Sequence, residues 1–191
     1  MLQVLKEFWR SLRDPTGRLL LRYAFVRNCP GSYGFLLRAG VLRPAFGRCG
    51  PRVRIHEGAR FRNVHKILLG DNVTIGVDNF LQAAGGIVIG DHTLLGPGVK
   101  VWTTNHVFAD PDRPIRDQGA EYREIVIGGD VWIGSNAFLM PGVELGDGCI
   151  VSAGSVVGAK KYPPYSILMG NPARVIGNRR KAGAAPEDGS S

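Results

Sequence analysis

Several things are scarce in this sequence of 191 residues, and each scarcity excludes something. Cysteine occurs three times, at Cys29, Cys49 and Cys149, an odd number without metal-type spacing. A disulfide framework and a zinc ribbon are excluded, and free thiols in a reducing compartment are expected. Long apolar runs are missing. The greasiest stretch, LLLRYAFV, has eight residues with an arginine inside, against roughly 20 for a spanning helix. The start, MLQVLKEFWRSLRD, has acids and bulky aromatics and no small-residue cleavage site, so a secretory leader is not expected and a cytoplasmic protein is. No basic-plus-aromatic pattern of a nucleic-acid module is present, and no nucleic-acid partner is expected.

Acidic residues are scarce in one place only. Residues 1–66 hold fourteen Lys/Arg and three acids, a balance of +11. Residues 67–159 hold four basic and eleven acidic residues, −7, and residues 160–191 hold six and two, +4. A basic front end suits an anionic membrane surface or a phosphate-bearing ligand, and equally a solubilising face.

What is abundant is glycine and proline, 27 and 12 residues, about a fifth of the chain and well above ordinary usage. At the front, Leu2, Leu5, Phe8, Trp9 and Leu12 fall at helical spacing. Asp14-Pro15 is an N-cap followed by proline at N1, which starts a second helix through Leu19, Leu20, Tyr23 and Phe25. That helix stops by NCPG at 28–31, and residues 32–50 read as a connector. The division expected is a basic amphipathic helical segment over 1–50, a main domain over 51–178, and a disordered tail over 179–191. The helices are expected to dock on the main domain, with peripheral contact to the inner face of a membrane as the alternative.

The main domain carries a beat. Leu, Ile or Val stands at 69, 75, 81, 89, 95, 101, 127, 133, 139, 145, 151 and 157, and glycine follows in eight of the twelve cases. Four residues on come small or branched residues: Val73, Thr93, Val99, Val131, Ala137, Val143, Cys149 and Ser155. A period of six fits neither a helix nor a hairpin meander. It fits short strands and tight turns, three walls to a coil, stacked as a solenoid. The beat is suspended at VWTTNHVFADPDRPIRDQGAEYREIVIG, with an excursion expected over 107–126, the missing corner counted at Val107, and His106 at the base of the loop on the solenoid wall.

The beat, TTNH, the run GAEYREIVIGGDVWIGSNAFLMPGVELGDGCIVSAGSVV and the closing GNPARVI together resemble the hexapeptide-repeat acyltransferases. The nearest branch is the maltose/galactoside O-acetyltransferase type, which includes acetyltransferases of surface-polysaccharide assembly; the likeness covers roughly 53–178. The resemblance implies an all-β, left-handed parallel β-helix, a homotrimer with sites between subunits, acetyl-CoA as donor, no metal, and a saccharide acceptor. It implies His106 as general base for the acceptor hydroxyl, since a neutral imidazole suits that proton transfer.

A carboxylate or backbone carbonyl should hold the other ring nitrogen. Glu121 is the first candidate, with Asp110, Asp112 and Asp117 as others. His56, His65 and His92 read as structural. Asn79 and Asn105 stand where the beat elsewhere has Val, Ala, Ser or Thr; acceptor binding and a stacked structural amide are both open for them. The resemblance puts Trp132 beside the cleft and Ser135 at the thioester carbonyl, with Gly134 letting the donor lie close. It puts Ala153 and Gly154 along the pantetheine arm, and Lys160, Lys161 and Arg174 at the coenzyme phosphates. Two departures stand out. One residue is inserted in GAKKYPP, and Gly177 replaces a basic residue expected three after Arg174. The reaction expected is O-acetylation of a sugar hydroxyl. The alternatives are N-acetylation of an amino nucleotide-sugar, a serine-type acceptor, and a non-catalytic scaffold.

Overall fold

In a computed structural model of the protein, which describes residues 2–182, the six-residue beat becomes a left-handed parallel β-helix. Each coil contributes one short strand to each of three parallel walls. The first wall stacks Arg48–Cys49, Ile67–Leu69, Ile87–Ile89, Ile125–Ile127, Glu144–Leu145 and Lys161–Tyr162. The second stacks Arg54–Ile55, Thr74–Ile75, Leu94–Leu95, Trp132–Ile133, Ile150–Val151 and Ser166–Gly170, and Ala173–Asn178 closes it antiparallel. The third stacks Arg60–Arg62, Phe80–Gln82, Lys100–Trp102, Phe138–Leu139 and Val156–Val157.

The register explains the beat. Ile75 pairs with Leu95, Leu95 with Ile133, and Ile133 with Val151, one beat residue above another. All twelve beat positions are at most 2% exposed, and so are the eight small or branched positions four residues later. Two columns of buried side chains per wall therefore fill the interior. Neighbouring strands use up each other's backbone groups, so the aliphatic core and the ladders form together.

The corners need a residue at positive φ in each coil. Between the first and second walls these are Arg52, Asn72, His92, Asp130, Gly148 and Tyr165; between the second and third they are Gly58, Asp78, Gly98, Asn136 and Gly154. Asn, Asp, His and Gly tolerate that region best. His92 is thus a turn residue, with its ring nitrogen 3.1 Å from the Asn72 amide one coil below, in keeping with a structural role.

Three helices cover the open N-terminal end. Helix α1 spans Leu2–Arg13 and α2 spans Pro15–Val26, the latter capped by the Asp14 carboxylate accepting from Gly17 N–H at 2.8 Å. The burial of Leu2, Phe8 and Leu12 falls outside the described side chains. The stretch read as a connector instead contains a third helix, α3, over Gly31–Leu42. Three glycines hide it from propensity, and tertiary burial overrides them. At Gly34 an added Cβ would run into the backbone carbonyl of Cys29, so glycine is required there. Tyr23, Leu42 and Phe46 join the core of the first coil.

Arg38, fully buried, ties this end together. Its Nε donates to Ile55 O at 2.8 Å, and its Nη1 donates to the carbonyls of Cys29, Arg27 and Val26 at the end of α2. At the other end, Arg179–Ala182 forms a helical turn where a disordered tail was expected, and Arg179 ion-pairs with Asp130 at 2.6 Å. The remainder of that expected tail, 183–191, lies outside the described residues. No helix among the described residues is long and apolar enough to cross a membrane.

Candidate active site

The suspended beat is an antiparallel ribbon rather than a bare loop. Thr104–His106 pairs with Ala120–Tyr122, matching Asn105 with Glu121 and His106 with Ala120. The excursion therefore runs over 104–122. Ile125 and Val126, assigned to it from the sequence, already belong to the first wall, paired with Ile87 and Val88. Val107 lies beyond the ribbon strand and does not fill the missing corner. The coil closes instead through Arg123 N–H donating to Thr103 O at 3.0 Å. His106 consequently stands on the ribbon, three residues out from the wall, and is exposed.

A buried network fixes the root of the ribbon. The Thr103 hydroxyl accepts from Gly85 N–H at 2.8 Å and lies within donating distance of Gln82 O (2.8 Å) and Gln82 Oε1 (3.0 Å). Thr103 is fully buried and Gln82 nearly so. Sequence reasoning passed over both, although the polar pair Thr103-Thr104 at the break was a usable signal. Thr104 Oγ1 is buried with no hydrogen-bond partner among the described residues.

Alternation on the ribbon separates two candidates. Cross-strand partners share a face, and successive residues point to opposite faces. Asn105 and Glu121 share one face; His106 shares the other with Thr104, Ala120 and Tyr122. Within one chain Glu121 therefore does not hold the His106 ring. Its carboxylate pairs with Arg123 at 3.2 Å, both side chains more than half exposed. Glu121, Arg123 and Asn105 line a cleft of about 150 Å³ floored by Met140 and Pro141. The other acids stay within the loop: Asp110 Oδ1 accepts from Asp112 N–H, and Asp117 belongs to a short 3-10 turn.

Asn79 is corrected too. It is fully buried, and its Oδ1 accepts from Val99 N–H of the next coil at 2.8 Å. Asn79 thus bridges coils, as the structural reading had it, and does not face an acceptor.

The donor-side candidates gather at a different corner, between the second and third walls. Trp132 lies on the second wall just before it, 55% exposed. Ser135, Ala153 and Gly154 form the corner itself, stacked by Gly154 N–H donating to Ser135 O at 2.8 Å. Gly154 has φ +69 and open space beside it, as a close-approach site requires. Gly134 does something else: an added Cβ would lie 2.5 Å from Ala153 N, so this glycine, buried, serves coil stacking. Arg174 is exposed on the closing strand, paired in register with Met169.

The three cations do not form one cluster. Lys160 follows the third wall on the His106 side, with Nζ 6.0 Å from the Tyr162 ring. Lys161 points outward from the first wall to Glu144 at 3.4 Å.

The distance between the two corners is decisive. From Ser135 to Met140 the chain crosses the third wall in five residues, about 15 Å at ~3.3 Å per residue. Asn105 shares its cleft with Met140, so His106 is on that far side. Proton transfer and oxyanion contacts need about 3 Å. Within this chain His106 and Ser135 therefore stand on different corners, on either side of the third wall. Among the described residues, no three His, Cys, Asp or Glu side chains are placed to hold a metal ion.

Comparison with known proteins agrees with this architecture. The family model described as Bacterial transferase hexapeptide (six repeats) matches residues 124–159. The probable acetyltransferase Rv3034c of Mycobacterium tuberculosis is 34% identical over 67% of this chain, and the match spans 40% of that relative's length. The galactoside O-acetyltransferase of Escherichia coli K12 is 31% identical over 82% of this chain and 74% of its own length. Among solved structures, the hexapeptide-repeat acetyltransferase VCA0836 of Vibrio cholerae O1 biovar eltor, complexed with acetyl coenzyme A, has a TM-score of 0.76 at 29% identity. It covers 88% of this chain and 87% of that one.

Proposed function

The chain belongs to the hexapeptide-repeat acetyltransferases, and from that premise we propose that it transfers the acetyl group of acetyl-CoA to a hydroxyl of a saccharide. The observation that carries the mechanism is the split of the candidate residues between two corners. A homotrimer resolves it, because each subunit can offer one corner to each neighbour around a closed ring. The ribbon face with His106 then meets the neighbour's corner of Trp132, Ser135, Ala153 and Gly154.

His106 takes the proton of the attacking hydroxyl, which is worth about 10²–10⁴ in rate. The new bond joins the acceptor oxygen to the acetyl carbon, the thioester C–S bond breaks, and the proton passes to the departing thiol. Ser135 supplies a donor where negative charge develops on the carbonyl oxygen. The open backbone at Gly154 suits the pantetheine arm. Lys160 from one subunit and Arg174 from the other suit the phosphates, while Lys161 is already engaged with Glu144. Asn105, Glu121 and Arg123 offer polar groups over an apolar floor, which suits a sugar ring. The Escherichia coli relative, named for galactoside O-acetylation, supports a saccharide acceptor, and the acetyl coenzyme A complex of the Vibrio cholerae protein supports the donor.

We place the enzyme in the cytoplasm, which its three unpaired cysteines support, and its acceptor among the intermediates of surface-polysaccharide assembly. The test is release of coenzyme A from acetyl-CoA with a panel of mono- and oligosaccharides, with products read by mass spectrometry. An alkali-labile ester that disappears in His106→Ala supports the reading. An alkali-stable amide, or full activity in His106→Ala, overturns it.

A further inference from the structure

The helices that close the first coil have a second face. Successive residues of α2 turn about 100° around its axis. Tyr23 points into the core, with Leu19 and Val26 packed beside it. On the opposite side Leu20, Ala24, Leu21 and Phe25 follow one another over an arc of about 140°. All four are exposed, Phe25 by 79%. Arg27 borders this arc on one edge, and Arg18 and Arg22 on the other.

Helix α3 has a similar arrangement. Gly34, Arg38 and Leu42 are buried, Leu36 and Tyr33 lie round the far side at 73% and 82% exposed, and Leu37, nearer the Gly34 edge, is 48% exposed. The two helices pack against each other. Leu20 and Ala24, at the near edge of the α2 arc, line a groove with Phe61 and Phe80 of the solenoid, and Leu21 and Phe25 lie farther round the helix.

The surrounding charge is mainly positive, with Asp14 at the start of α2 and Glu57 beside Arg38 as the flanking acids. From Pro15 to His56 there are eight arginines and no Asp or Glu. Arg27, Arg60 and Arg62 line a groove of about 370 Å³ beside α2. None of these three is ion-paired among the described residues. The Nε of Arg27 is buried without a hydrogen-bond partner.

Contiguous exposed apolar side chains of this extent mark an interaction surface. An apolar arc edged by arginines is how a helix lies in a bilayer interface. Its apolar side chains enter the headgroup–acyl boundary while the arginine stems reach out to lipid phosphates. A second copy seated on the same face would set one arginine rim against another, with only Asp14 and Glu57 nearby to offset them.

We propose that the outer face of α2 and α3 docks on an anionic phospholipid surface. Leu21, Phe25, Tyr33, Leu36 and Leu37 enter the boundary, Arg18 and Arg22 meet lipid phosphates, and the Arg27–Arg60–Arg62 groove takes a headgroup. Docking would hold the solenoid beside acceptors carried on lipid, and it stands independently of the acetyl-transfer chemistry.

The test is co-sedimentation of the full chain with phosphatidylcholine vesicles, with and without phosphatidylglycerol. Binding should be about tenfold or more tighter with the anionic lipid and should weaken as salt rises. Arg18→Glu/Arg22→Glu should lower it by about fivefold or more per charge. Phe25→Ser/Leu36→Ser, at exposed positions, should lower it about tenfold or more while leaving the thermal melt unchanged. Equal binding to both vesicle types, or none, overturns the proposal. So does full competition by inorganic phosphate, which would indicate a free-anion site. So does an assembly, larger than the trimer and held together without lipid, that Phe25→Ser/Leu36→Ser breaks. His106→Ala should bind vesicles as the wild type does, so this inference and the acetyl-transfer reading fail separately.

Discussion

Replacing Arg38 by methionine should destabilise the protein by about 3 kcal/mol, and the structure supplies the sum. Arg38 is fully buried, donates from Nε to Ile55 O at 2.8 Å, and donates from Nη1 to Cys29 O, with longer contacts to Arg27 O and Val26 O. Its carboxylate neighbour, Glu57, is 3.9 Å away and 43% exposed, so ion pairing contributes little. Two good bonds from a charged donor are worth about 1.5–3 kcal/mol each. Methionine fills similar volume and avoids burying a charge, which offsets part of the loss. The carbonyls of Ile55 and Cys29 still lose their donor.

Urea denaturation at fixed protein concentration is the assay. With a slope of about 2 kcal/mol/M, the midpoint should fall by about 1.5 M. Arg38→Lys should recover less than half of that, because one ammonium cannot reproduce the fork that spans Ile55 and the end of α2. A midpoint shift below about 0.3 M for methionine would refute the reasoning, and full rescue by lysine would show that charge, not geometry, is what matters.

Asn79→Ala should lower stability by about 1–2 kcal/mol, since Val99 N–H loses its acceptor while the unpartnered Asn79 Nδ2 is removed. Its KM for saccharide should stay unchanged; a rise of tenfold or more, about 1.4 kcal/mol, would restore Asn79 to the acceptor site. Thr103→Val should cut kcat by about 10- to 100-fold with KM for acetyl-CoA held and the thermal melt still well above the assay temperature, because the root of the ribbon loosens, and Thr103→Ser should rescue it; a melt that falls to the assay temperature would point instead to general unfolding, which lowers apparent kcat without changing KM. Burial pushes the Tyr23 phenol up, against the pull of Arg38 and Arg27. The unfolded chain then ionises first, so stability is intact below about pH 10 and falls above it by up to ~1.4 kcal/mol per pH unit. Denaturation curves of Tyr23→Phe between about pH 9 and 11 should lack that part of the slope, and superimposable losses would contradict it.

Much of the solenoid could be read from residue order, because its period repeats in the chemistry. A Leu, Ile or Val every six residues specifies an inward position whatever surrounds it, and all twelve are buried. Handedness was not in the period; it came with the family resemblance. Helix α3 was illegible because Gly31, Gly34 and Gly40 argue against a helix locally, while the burial of Gly34, Arg38 and Leu42 is a tertiary fact.

Candidate site residues could be named from the sequence, but not their arrangement. His106, Ser135 and Gly154 could be named, yet nothing local in the sequence placed them on two corners. Glu121 was adjacent to the right strand and one residue out of phase, which on a ribbon reverses its face. Gly134 and Asn79 were at family or pattern positions but answer to the coil above. Lys161 could not be separated from Lys160 until the strand Lys161–Tyr162 turned it towards Glu144.

The central claim is that each active site takes His106 from one subunit and the Ser135–Gly154 corner from the next. The direct measurement is activity after co-expressing two inactive variants, His106→Ala and Gly154→Trp, the latter filling the open space at that corner. In randomly mixed trimers an intact pair of corners arises at about one interface in four, so about a quarter of wild-type activity should return. Activity no higher than that of either variant alone, in trimers shown to be mixed, would contradict the account.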